Sequence, residues 1–174
     1  REMIQQEHPD ILCIATRPSS RSEITIFAAE NGVKGIYAEK PLCCSMEEAD
    51  MMVEVVQAHN IKFNYGTQRR FMPFFRQIRL LIDEGQIGNI QCVIFQYGMS
   101  SALWGLTHTA DMMLFMAGDP EVDFVQGSIL CQESDWMGNR LNTDPPVTNS
   151  YIRFSNGVHG YNTVGMGSEF EVSG

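Results

Sequence analysis

The chain has 174 residues, of which 44% are hydrophobic and 19% charged, and its formal net charge is −9. That balance is globular and excludes a disordered chain, while the acidic charge excludes non-specific nucleic-acid binding, which needs clustered Lys and Arg. No apolar run approaches the roughly 18 residues of a membrane-crossing helix, and the opening residues do not read as a signal peptide.

The first third alternates strand and helix signals. The start at Arg1 falls within a polar, helix-like stretch, and both ends of the chain read as cuts. Asp10 to Ala15 is a short apolar run suited to a strand buried on both faces. Ser20 to Glu30 reads as a helix stopped by Asn31-Gly32, and Gly35 to Ala38 as a second strand ending at Glu39-Lys40-Pro41. Ser45 opens a helix in the capping-box manner, with Glu48 three residues on, and Ile61 to Tyr65 is a third strand. Strand and helix in alternation with short connections predict βαβ units on a parallel sheet, with helices on its faces.

Beyond about residue 70 the texture changes. Met72 to Glu84 reads as a helix closed by Gly85, Asn89 to Tyr97 as a strand with one wet face, and Leu103 to Met116 as a helix closed by Gly118. Val122 to Cys131, Thr148 to Phe154, Val158 to Val164 and Glu169 to Val172 are strand-like, and Ser155-Asn156-Gly157 is a hairpin turn. The predicted fold class is therefore α/β plus α+β. Half of an open α/β domain with a parallel sheet, over residues 1–70, precedes a helix-backed, mostly antiparallel sheet over residues 71–174. The five cysteines form no CxxC pair and are expected as buried free thiols in a reducing, cytoplasmic setting, with no metal site. Met51, Met52, Met112, Met113 and Met116 fit helix faces as core filling.

Ligands of open parallel sheets bind at the carboxyl ends of strands, which singles out Ala15-Thr16-Arg17-Pro18, Glu39-Lys40-Pro41 and the segment from Tyr65 through Gln68 to Arg70. Lys40 admits two readings: an exposed loop lysine paired with Glu39, or a lysine at a cleft rim whose lost hydration lowers its pKa into acid–base range. His108 and Asp111 lie three apart on one helix face. They are either a histidine satisfied in a helix–sheet interface or an imidazole oriented by a carboxylate. Trp104 is either core or a floor for the C–H surface of a sugar.

Several of these segments together resemble the Gfo/Idh/MocA family, the glucose–fructose oxidoreductase and inositol dehydrogenase group. His8-Pro9-Asp10 through Thr16, Glu39-Lys40-Pro41, Arg69-Arg70-Phe71-x-Pro73, Ile82-x-x-Gly85-x-Ile87-Gly88 and Gly105-x-x-His108-x-x-Asp111 stand in the family's order, from about His8 to Gly174. The resemblance implies part of a Rossmann-like domain over residues 1–70 and a second sheet, over residues 71–174, that is incomplete at its C-terminal end. It implies an oxidoreductase that uses NAD or NADP on a sugar, polyol or related hydroxyl compound and forms a homo-oligomer through the antiparallel sheet. It implies catalytic roles for Lys40, His108 and Asp111, and cofactor contacts from Ala15, Thr16, Arg17, Pro18, Glu39, Lys40, Pro41 and Gln68. Arg70 and Trp104 would bind substrate, and Lys40 and His108 would face one cavity. Three departures stand out. No Gly-x-Gly-x-x-Gly turn occurs, so the fragment is expected to bind NAD(P) poorly and to be inactive alone. Trp104 stands where many members have aspartate, and Arg21 where they often have histidine. A non-catalytic sugar-binding, oligomerisation or regulatory module of the same fold is the other reading.

Overall fold

The structure, a computed structural model, describes residues 1–97 and 99–164. Its contacts divide the chain into two compact units, Arg1–Gly66 with Glu133–Thr143, and Thr67–Gln132 with the chain from Asp144 onward. The predicted strand Glu169 to Val172 lies outside the described residues.

The first unit runs α1 (Glu2–Glu7), β1 (Ile11–Ile14), α2 (Pro18–Glu30), β2 (Gly35–Ala38), α3 (Met46–Ala58) and β3 (Lys62–Tyr65). Its strands pair in the order β1-β2-β3, all parallel, with Leu12 beside Ile36 and Ile36 beside Phe63. The expectation of a first strand buried on both faces is corrected. Leu12 and Ile14 are buried against Ala28, Ala29, Ile36 and Ala38, with Val55 and Val56 of α3 packed on them. Ile11 and Cys13 on the other face are exposed. The reason is topological: two right-handed crossovers that advance in the same direction along a sheet deliver both helices to the same face. Covering the second face requires the strand order to reverse.

The capping-box expectation is half met. Ser45 Oγ accepts from Glu48 N–H at 3.2 Å, but the Glu48 carboxylate accepts from Cys44 N–H at 2.9 Å instead of returning to the cap residue. A short hairpin, β7 (Trp136–Met137) and β8 (Arg140–Leu141), belongs to this unit although it lies between two strands of the other. Leu141 N–H donates to the Cys44 carbonyl at 3.0 Å, and Asn139 Nδ2 donates to Glu47 at 2.7 Å.

In the second unit a 3-10 turn over Gln68–Phe71 precedes α4 (Pro73–Asp83), β4 (Cys92–Tyr97), β5 (Ser100–Ser101), α5 (Leu106–Ala117), β6 (Val122–Ile129), β9 (Pro146–Phe154) and β10 (His159–Val164). The sheet order is β4-β10-β9-β5, with β6 also on β9. It is mostly antiparallel, as the turn signals imply, but β4 joins β10 in parallel. The hairpin at Ser155-Asn156-Gly157 closes with Gly157 N–H on the Phe154 carbonyl at 3.0 Å, and Asn156 Nδ2 donates to the Ala117 carbonyl at the end of α5 at 2.9 Å. One sheet face buries Ile152, Phe154 and Val158 against Met113 and Ala117.

Of the five methionines expected in the core, Met52, Met112, Met113 and Met116 are buried, whereas Met51 is 41% exposed. All five cysteines are free, but only Cys44 is buried; Cys13 and Cys92 are exposed because they lie on uncovered sheet faces. Phe154 is 1% exposed at the centre of the second core. Phe154→Ala is expected to cost about 3–5 kcal/mol in a urea titration, the range for removing a buried aromatic ring; a loss below about 1 kcal/mol would place that ring outside the core.

Candidate functional site

The carboxyl ends of β1, β2 and β3 share one edge of the parallel sheet. Ala15, Thr16 and Arg17 are exposed just beyond β1, with Arg17 as the extended residue before α2 and Pro18 at its first turn. The Ser20 hydroxyl donates to Thr16 Oγ1 at 3.1 Å. Beyond β2, Glu39 is half-buried and Lys40 is buried at 6% exposure, which removes the reading of Lys40 as an exposed loop lysine. Glu39 Oε2 accepts from the Lys40 backbone N–H at 3.1 Å. At the end of β3 comes Gly66, where a Cβ would stand 3.1 Å from Lys40 N and 3.2 Å from Glu39 Oε2. A side chain there would force Lys40 or Glu39 to give by a few tenths of an ångström, so glycine lets the third strand end press closely on the lysine's main chain.

A residue that the sequence marked only as a departure from the family's usual histidine organises this edge. Arg21, on the second turn of α2, is 3% exposed. Its Nη1 donates to the carbonyls of Glu39 and Pro41, and its Nη2 to the Thr16 carbonyl at 2.5 Å. Burial pulls the Arg21 pKa down and the nearby Glu39 pushes it back up, but a guanidinium starts so high that it keeps its charge. Such charge-assisted bonds contribute about 1.5–3 kcal/mol each.

The loop after Lys40 is tied down as well. Leu42 N–H donates to the Tyr65 hydroxyl at 3.1 Å, and Glu48, which holds Cys44 N–H, pairs with Arg140 at 2.8 Å. Arg140 also donates to the Ser19 carbonyl at 3.1 Å. Burial pushes the Cys43 and Cys44 thiols above the ordinary thiol range, and Glu48 adds to the effect.

The other candidates lie in the second unit. Gln68 is exposed in the 3-10 turn, and Arg70 is half-buried at its end. On α5, His108 is buried at 8% exposure and Asp111 is half-buried. Arg70 reaches Asp111 Oδ1 from Nε at 2.9 Å and from Nη2 at 2.6 Å, reaches Asp119 from both terminal nitrogens at 3.1 Å, and lies over the Phe115 ring. Burial lowers the Arg70 pKa, but the bonds to Asp111 and Asp119 outweigh it and the net shift is upward. Asp111 Oδ2 is buried with no hydrogen-bond partner among the described residues. Trp104 is 57% exposed, which removes its reading as core. The turn that carries it is held by Asp144, whose carboxylate accepts from Leu103 N–H at 2.6 Å and from Trp104 N–H at 3.0 Å. Gly105 begins the helix where a Cβ would strike Ser100 Oγ at 2.1 Å.

The first unit thus offers an exposed hydroxyl, an exposed guanidinium and a buried lysine at parallel strand ends. This donor set suits the ribose and nicotinamide portion of a dinucleotide, while a glycine-rich phosphate cradle is not among the 174 residues. Residues 1–67 match the family described as "Oxidoreductase family, NAD-binding Rossmann fold", GFO_IDH_MocA. The first 67 residues are thus similar to the Gfo/Idh/MocA oxidoreductases. Among curated relatives, scyllo-inositol 2-dehydrogenase (NAD(+)) of Bacillus subtilis is 37% identical over 87 residues, 50% of this chain and 25% of that protein. Myo-inositol 2-dehydrogenase of Thermotoga maritima is 24% identical over 173 residues, 91% of this chain and 50% of that protein. The chain therefore spans at most half the length of these two relatives. A levoglucosan dehydrogenase solved with NADH and levoglucosan superimposes with a TM-score of 0.78 at 24% identity, covering 94% of this chain and 50% of the other, and shows the shared fold.

Sequence patterns gave no sign of Arg140 or Asp144, and marked Arg21 only as a departure from the histidine of the family it resembles. Each acts through main-chain groups distant in sequence, and no local pattern marks such a contact. Two outcomes follow from the geometry. Arg70→Met leaves the half-buried Asp111 without its cation and is expected to cost about 2–4 kcal/mol in urea, less than a fully buried pair because both partners touch solvent. Adding Asp111→Asn should restore part of that loss, and strict additivity in the double-mutant cycle would mean that the pair is uncoupled. At pH 8 iodoacetamide should alkylate Cys44 about tenfold more slowly than the exposed Cys13 and Cys92, with the Cys44 rate still climbing above pH 9. A thiol raised by burial favours the folded state below the unfolded thiol pKa, and that contribution is lost as pH rises through its folded value. Equal alkylation rates at pH 8 would contradict the burial.

Proposed function

We propose that this chain is part of an NAD(P)-dependent dehydrogenase that oxidises a hydroxyl carbon of a sugar or polyol. Residues 1–70 contribute part of the dinucleotide-binding domain, and residues 71–174 a substrate and oligomerisation domain. The observation that carries this reading is the burial of Lys40 at a parallel strand end, in a loop whose flanking carbonyls are both held. The names of the relatives, inositol dehydrogenases and an NADH-bound levoglucosan dehydrogenase, support the substrate class.

A bound nicotinamide supplies the hydride acceptor. Ala15, Thr16, Arg17, Pro18, Glu39, Pro41 and Gln68 hold and orient that cofactor. Lys40 donates to the reacting oxygen and stabilises negative charge as it develops there. His108 takes the hydroxyl proton, and Asp111 Oδ2 orients its ring or accepts from a neighbouring substrate hydroxyl. Arg70 fixes Asp111 on the substrate side, and the exposed Trp104 indole floors the C–H surface of the sugar. The longer protein is active in the cytoplasm as a homo-oligomer joined through the second unit's sheet, and the 174 residues alone are inactive for want of a phosphate cradle.

The test belongs to the longer protein. Lys40→Met and His108→Asn should each lower kcat by about 10²–10⁴-fold, while the dissociation constant for the nicotinamide cofactor moves little. A longer protein that bound neither NAD nor NADP at millimolar concentration would end this reading. A second reading rests on the exposed Trp104 indole: a sugar-binding module without turnover. It gains if Trp104 fluorescence reports saturable polyol binding while no NAD(P)H forms.

A further inference from the structure

Arg21 is a buried cation that the proposed chemistry does not use. Among the described residues it makes no ion pair with a carboxylate, and its Nε has no hydrogen-bond partner. Burying a charge costs free energy unless it is compensated. Here three main-chain carbonyls that lie beyond the strand ends supply the hydrogen bonds, and the nearby Glu39 carboxylate adds favourable charge.

The placement of those carbonyls is informative. Glu39 and Pro41 flank Lys40, and both of their carbonyl groups accept from the same guanidinium nitrogen, Nη1. The peptide unit before Lys40 and the one after Pro41 are therefore oriented by one atom, which pins both ends of the Lys40-Pro41 segment from which the lysine side chain departs. Nη2 takes the Thr16 carbonyl, so the same planar group fixes the spacing between the turn after β1 and the loop after β2. A guanidinium fork is rigid, so the three acceptors cannot drift independently. An ammonium or an amide offers fewer donors and no such fixed geometry.

We infer that Arg21 is a positioning residue for Lys40, holding that lysine buried at the strand-end edge by bracketing its two flanking carbonyls. The inference rests on the function proposed above only in giving Lys40 a purpose; the geometry stands without it. Arg21 belongs to α2, whereas Lys40 follows β2, and the two are joined by tertiary bonds rather than by sequence.

The chain contains three lysines, Lys34, Lys40 and Lys62, so trace acetylation read by mass spectrometry compares Lys40 with two exposed internal references. In the unsubstituted chain Lys40 should label about tenfold more slowly than Lys34 and Lys62, as burial demands. Arg21→Met should raise the Lys40 rate about fivefold or more relative to those references, and Arg21→Gln by a smaller factor, because its amide replaces only part of the donor set. Ala28→Gly, which weakens the same helix away from the loop, should lower the melting temperature and leave the labelling ratio unchanged. An Arg21→Met chain that melts cooperatively with Lys40 still protected would overturn the inference, as would an equal rise in Ala28→Gly. Should Arg21→Met fail to fold, an unchanged ratio in folded Arg21→Gln would overturn it equally. Labelling needs no turnover, so loss of the dehydrogenase reading and loss of this one are separately visible.

Discussion

A guanidinium surrounded by main-chain carbonyls is the constraint on which the first unit's site depends. Parallel sheets leave carbonyl groups unpaired where strands end and loops diverge. Those groups must find donors when they are buried. Arg21 meets the demand for three of them at once, so satisfying the backbone and aiming the Lys40 loop are one event. Gly66 acts from the other side, since the missing side chain lets β3 end against the Lys40 amide. A buried polar network of this kind has little tolerance: one donor removed leaves several acceptors stranded in a low-dielectric setting.

The second unit handles a partly buried arginine in a different way. Arg70 is matched by two carboxylates and an aromatic face, so charge is balanced by charge. The pairing also consumes one oxygen of Asp111 and leaves the other without a partner among the described residues. Asp111 is thus held in place by a cation while keeping an acceptor for another group, which is the arrangement a substrate-orienting carboxylate needs. The turn before α5 depends on Asp144 in the same way that the Lys40 loop depends on Arg21, with a side chain from elsewhere satisfying main-chain groups next to a candidate residue.

The hairpin over residues 133–143 extends this logic. Its own pairing is two residues long on each side. It is held by Leu141 N–H on Cys44, by Asn139 on Glu47 and by Arg140 on Glu48 and Ser19. All four contacts fall at the start of α2 or around the N-terminus of α3, the segment that follows Lys40. Glu48 is where the capping-box pattern met tertiary demand: one carboxylate oxygen accepts from Cys44 N–H, and the other pairs with Arg140, a cation distant in sequence.

The sequence by itself determined the elements and their kinds. Apolar runs bounded by turn residues located β1, β2 and β3 to within a residue or so, helical periodicity located α2, α3 and α5, and Asn156-Gly157 placed the last hairpin. Lys40 at a strand end and the His108–Asp111 spacing were legible for the same reason, since both are local patterns. Tertiary structure alone decided which faces were covered, because burial of Ile11 and Cys13 depends on what packs above them and not on their own apolarity. It decided the parallel join of β4 to β10, which no turn signal encodes. It also decided that Arg21, Arg70, Arg140 and Asp144 hold the candidate residues in place. Their partners are backbone carbonyls, amides or distant carboxylates, and a hydrogen bond between positions far apart in the chain leaves no trace in the order of residues around either one.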